Sequence, residues 1–154
     1  MAIEHVNIPD GERHEPKGAS TATVDQVYAS DGSGSGSWRE IPFSDTVVMA
    51  DVSAPSFVII PIPIDVEIQA IEYVLWGAIT AADSTITVTR GGDSASLGTQ
   101  VIDYASSGEG ITFTQTPSGN STISASTHKY LKITSNGNSS TTAQVSITIK
   151  AKVV

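Results

Sequence analysis

The chain contains no cysteine, which excludes disulfide cross-links, thiolate metal sites and thiol redox chemistry together. Stability must come from packing within the chain or between subunits. Basic residues are also scarce, 8 against 16 acidic ones, for a net charge of −8. No three of them are consecutive, so the patch that a phosphate backbone requires is missing and no nucleic-acid partner is expected. Long apolar runs are absent too. Residues 57–64 form the most apolar stretch, but Pro61 and Pro63 interrupt it. It is far short of the ~20 residues that cross a bilayer, so no membrane partner is expected. The opening MAIEHVNIPDGERHE has neither the basic nor the apolar segment of a secretory signal, and no export is expected.

Motifs for catalysis are missing as well. His5, His14 and His128 lie far apart, without metal-ligand spacing. No GxSxG elbow, P-loop or calcium-loop pattern occurs. Asp65 and Glu67 are two apart, which would put both carboxylates on one face of a strand. A glycosidase needs its second carboxylate across a cleft, ~5–10 Å away, so a solvated face is the better reading. Neither enzymatic activity nor a cofactor or metal is expected.

What the chain does have is Thr, Ser, Val and Ile, with little leucine and only 6% aromatics. These residues suit strands with one wet face. A composition break near Ile41 separates a turn-rich leader from a body of short alternating runs. In the body, Val145, Ile147, Ile149, Ala151 and Val153 alternate with Ser146, Thr148, Lys150 and Lys152, a period of two that places one set in a core. Ile86 and Val88, Leu131 and Ile133, and Ile111 and Phe113 repeat the pattern. Further strands are expected near residues 47–52, 57–64, 66–78, 98–104 and 121–125. Pro61 and Pro63 put two missing N–H groups on one side of a strand, which predicts a sheet edge or a bulge. The apolar phase switches at Ala70-Ile71, which predicts a bulge or burial on both faces. Arg90-Gly91-Gly92-Asp93 reads as a hairpin connection. About eight strands and no amphipathic helix indicate an antiparallel β-sandwich, jelly-roll-like, over residues 43–154. Residues 1–42 are then an extended N-terminal arm with a hairpin.

In that arm Glu15 is biased to an extended conformation by Pro16, which itself lacks a donor. Lys17-Gly18 permits a change of direction. Residues 26–29 and 38–41 flank a glycine-serine run, which predicts a hairpin with a long loop, Tyr28 and Trp38 meeting if its strands pair. The alternatives are a flexible tail and linker or an arm ordered by docking.

His14-Glu15-Pro16-Lys17-Gly18, Val27-Tyr28, Asp31-Gly32 and Gly34-Ser35-Gly36-Ser37-Trp38 resemble a leader of tailed-bacteriophage head fiber and capsid decoration proteins. The resemblance departs from the commonest form of that leader at Asp25 and Ser33. Residues 77–83 with Thr85-Ile86-Thr87-Val88 are similar to a β-sandwich module of phage virion proteins. The resemblance implies a structural protein on the outer capsid surface, assembled in the bacterial cytoplasm and commonly a homotrimer. It makes the major capsid protein the partner, with His14, Glu15, Pro16, Lys17, Gly18, Tyr28 and Trp38 as candidate capsid-binding residues. Two other functions compete with it. One is a receptor- or glycan-binding tip using loop aromatics such as Trp76 or Tyr104; the other, less supported, is a small secreted enzyme or toxin.

Overall fold

The computed structural model describes residues 22–23, 25–30 and 36–154. Contacts divide the chain into two units, Met1–Ile41 and Pro42–Val154.

In the first unit β1 (Gln26–Ser30) and β2 (Gly36–Glu40) form an antiparallel pair. The glycine-serine segment contributes more to the ladder than its composition suggests. Gly36 and Ser37 lie in β2, opposite Ser30 and Ala29.

The second unit contains β3 (Pro42–Met49), β4 (Pro55–Pro61), β5 (Val66–Leu75), β6 (Ser84–Arg90), β7 (Ser96–Ile102), β8 (Thr112–Gln115), β9 (Thr122–Ile123), β10 (Tyr130–Asn136) and β11 (Val145–Val153). Their pairing is nested. β6 pairs β7 across a short turn, β5 pairs β8 and β9, β4 pairs β10, and β3 pairs β11, all antiparallel. One long hairpin is thus folded over into two sheets, ordered β4-β10-β6-β7 and β3-β11-β5-β8. That is the eight-stranded jelly roll, with the two-residue β9 as an addition to β5. Among the described residues the one helical piece is a 3-10 turn, Tyr104–Ser106.

The period-two alternation builds the core. Val145, Ile147, Ile149 and Ala151 are buried against Ile86, Val88, Leu131 and Ile133 of the other sheet, with Val153 half-buried at the end of β11. Phe113 packs on this core, whereas Ile111 lies on the turn before β8 and is exposed. Outward-facing threonines pair across strands: Thr46 with Thr148 at 2.9 Å, and Thr87 with Thr99 at 3.0 Å.

Both irregularities expected from the sequence occur. The β5–β11 register jumps between Lys150–Ala70 and Ala151–Ile68, leaving Gln69 as the extra residue of a bulge. The burial phase therefore shifts from Val66 and Ile68 to Ile71 and Tyr73. β4 is a sheet edge. The N–H of Ile62, between the two prolines, points to the paired side and donates to the Lys129 carbonyl at 2.9 Å. The stretch 121–125 keeps only two residues in a strand, because its end turns to let Ala125 N–H donate to the Asp65 carboxylate at 2.7 Å.

Candidate functional site

His14, Glu15, Pro16, Lys17 and Gly18 lie outside the described residues. Tyr28 and Trp38 are directly opposite in the β1–β2 ladder. Their ring centroids are 5.4 Å apart at an interplanar angle of 67°, an edge-to-face pair. Gly36 makes room for it. A Cβ at that position would stand 2.3 Å from the Ala29 carbonyl oxygen and 2.9 Å from the Tyr28 ring. The Ile41 N–H donates to the Asp25 carbonyl at 3.2 Å and closes the hairpin's open end. Asp25 takes a left-handed conformation (φ 68°), which aspartate tolerates better than most residues.

In the jelly roll, strand direction sorts the loops into two poles. The chain enters at Pro42, at the pole formed by residues 62–65, 91–95 and 116–129. There Arg90 grips Asp93 side-on through its Nε and Nη2, at 2.7–3.0 Å. This grip, with the Ala95 N–H, holds the Asp93 carboxyl at about 2. Asp65 and Glu67 do not form a carboxylate pair: Asp65 caps Ala125, and Glu67 meets Lys152 at 3.2 Å.

The opposite pole is formed by residues 50–54, 76–83, 103–111 and 137–144. Serine and threonine side chains tie these loops together. Ile79 N–H donates to Ser107 Oγ at 3.0 Å, Thr80 N–H to Ser139 Oγ at 3.0 Å, and the Thr80 and Thr141 hydroxyls share a hydrogen bond. Burial works against the charge of Asp51. Donors from Ser53, Ala143 and Thr142 outweigh it and hold that carboxyl below its usual range. Asp83 accepts from Tyr104 N–H at 3.1 Å and Asp103 from Ala105 N–H at 2.9 Å.

Both aromatics singled out in the sequence, Trp76 and Tyr104, are exposed at this second pole. Trp76 is fixed by its indole N–H, which donates to Ser146 Oγ at 2.9 Å. Beside it is a recess of about 150 Å³ lined by Val74, Leu75, Trp76, Glu109 and Gly110. The sequence reading missed Glu109, although its setting in Gly108-Glu109-Gly110 was a usable signal. A carboxylate on a glycine-flanked turn has little chance of burial. Among the described residues no cluster of three or more histidine, aspartate or glutamate side chains is placed to hold a metal.

No family model and no curated protein matches the chain. Among solved structures it is similar to Bacillus endospore appendages, described as a family of disulfide-linked pili (18% identity, 75% of this chain and 92% of that one, TM-score 0.41). It is also similar to infectious bursal disease virus, Gx strain (13% identity, 83% of this chain and 31% of that one, TM-score 0.29). With TM-scores below 0.5, neither likeness bears on function.

Proposed function

We propose that this chain is a structural virion protein of a tailed bacteriophage, a head fiber or decoration protein without catalytic activity. Its N-terminal unit binds the major capsid protein on the outer capsid surface, and its jelly roll projects outward. The observation that carries this reading is the division of labour in the chain. A hairpin with an edge-to-face Tyr28–Trp38 pair precedes, in the chain, a separate jelly-roll unit that begins at Pro42. The hairpin lies within the leader whose residues resemble that family. Jelly rolls serve in viral capsids and in lectins alike, so the fold agrees with the reading without selecting it.

The protein associates as a homotrimer on this reading. Edge strand β4 leaves Phe57 and Ile59 exposed on an outer sheet face, and subunit packing would remove that area from water at ~25 cal/mol per Å². The prolines at its ends oppose pairing of β4 with another strand.

The second reading, a receptor-binding tip, draws on the exposure of Trp76 and Tyr104 at the pole far from Pro42. Deleting residues 1–41 separates the two. Under the capsid-anchor reading the remaining jelly roll stays folded and no longer co-sediments with purified capsids. Unchanged decoration by the truncated protein would reject the anchor.

A further inference from the structure

Trp76 has the combination of features that a cation-binding platform requires. It follows β5 directly, yet 60% of its surface is exposed. Its one polar atom is already satisfied by Ser146, the residue that stands opposite both Val48 and Val74 in the sheet register. The indole is therefore fixed against the sheet and needs no further acceptor. Fixing it in advance lowers the entropy lost when a ligand covers it.

The charges around it are all of one sign. The four loops of this pole contain Asp51, Asp83, Asp103 and Glu109 and no lysine, arginine or histidine. Asp51, Asp83 and Asp103 accept hydrogen bonds from backbone N–H groups. Glu109, lining the recess beside Trp76, has no partner among the described residues. The cations on the outer face of the same sheet are engaged elsewhere: Lys150 meets Glu72 at 2.5 Å and Lys152 meets Glu67. Gly110 leaves the recess wall bare, since a Cβ there would meet nothing within 4 Å.

We propose that the Trp76–Glu109 recess receives a cationic side chain, lysine or arginine, presented by a partner polypeptide. The indole face attracts the cation through the ring quadrupole, Glu109 accepts its N–H donors, and the outward-facing Val74 side chain beside the indole takes the methylene stem. A net charge of −8 adds a long-range field of the right sign. The inference rests on the jelly roll alone and is independent of whether the arm binds a capsid.

The test is calorimetric titration of the full chain at low salt with hexalysine, and with its side-chain-acetylated form, which keeps the stems and loses the charges. Hexalysine is expected to bind and the acetylated peptide not to. An exposed cation–π contact and an exposed ion pair each correspond to roughly two- to fivefold in affinity. Trp76→Ala and Glu109→Gln should each weaken binding by about that much, with Trp76→Phe retaining part of it. Asp25→Asn, which removes the same charge from the other unit, should have little effect. Equal losses from Asp25→Asn and Glu109→Gln would mean diffuse attraction to an acidic protein and would overturn the proposal. So would equal binding of the acetylated peptide, or Trp76-dependent binding of neutral maltohexaose in place of hexalysine. If Trp76→Ala does not fold, the comparison of Glu109→Gln with Asp25→Asn decides alone.

Discussion

Tyr73, wholly buried on β5, donates its hydroxyl hydrogen to Gln115 Oε1 on β8 at 2.6 Å. This is a polar contact inside a largely apolar core, and it is incomplete, because the Gln115 Nε2 is also buried and has no hydrogen-bond partner. Removing one member of such a pair leaves the other desolvated, at ~1–3 kcal/mol. Tyr73→Phe is expected to lower stability by about that amount in urea denaturation, while Gln115→Leu, which also removes the orphaned amide, should cost less.

The same tyrosine predicts an alkaline limb. Burial pushes its ionisation well above the usual phenol value. The unfolded chain releases that proton near pH 10, and the folded chain only at higher pH. Above pH 10 the unfolded state thus binds fewer protons, and stability falls as pH rises. Denaturation midpoints measured from pH 9 upward should decline, and Tyr73→Phe should flatten the decline.

Acid acts through Asp93 and Asp51 with the opposite sign. Both carboxyls ionise below the unfolded value of 3.8, Asp93 at about 2. Their contribution is complete above pH 4 and is lost as pH falls towards 2. NMR titration should place Asp93 lowest, and Arg90→Gln should return it towards the ordinary carboxylate range.

Two glycines should resist substitution for different reasons. Gly98 (φ +141°) follows the bulged residue Leu97 in β7, and a Cβ there would be 2.6 Å from Gln115 Nε2. Gly98→Ala should destabilise the jelly roll by ~2 kcal/mol or more, from backbone strain together with the clash. Gly36→Val should instead melt the β1–β2 hairpin, seen as loss of its cross-strand nuclear Overhauser contacts, with the thermal midpoint of the jelly roll unchanged.

Trp38→Ala tests the anchor without deletion. Aromatic anchors at interfaces are typically worth ~2 kcal/mol or more on truncation, so capsid affinity should fall by ~30-fold or more. The circular dichroism of the jelly roll should stay as it was. Full affinity with Trp38→Ala would remove Trp38 from the candidate capsid contacts.

The sequence by itself determined the features that are local to the chain. Alternation in residues 145–153 defined a strand and its inner face, because successive side chains of an extended backbone point to opposite sides. The slip of phase at Ala70-Ile71 announced the Gln69 bulge, and Pro61 with Pro63 announced the β4 edge, since a missing N–H is visible in the letters alone. Tyr28 and Trp38 were legible as a hairpin pair because they flank a single glycine-serine run, so their strands are neighbours in the sequence. The tertiary structure alone decided which distant strands pair. β3 meets β11 some hundred residues later (Thr46 and Thr148 are 102 apart), and nothing in either strand names its partner, because Val, Ile and Thr alternate similarly in most of them. That pairing in turn set Ser146 under the indole of Trp76, 70 residues away. It gathered four acidic residues from three loops at the pole opposite Pro42, and it buried Gln115 against Tyr73. Such juxtapositions depend on sheet order and register, which arise from the packing of the whole core and not from any one segment of it.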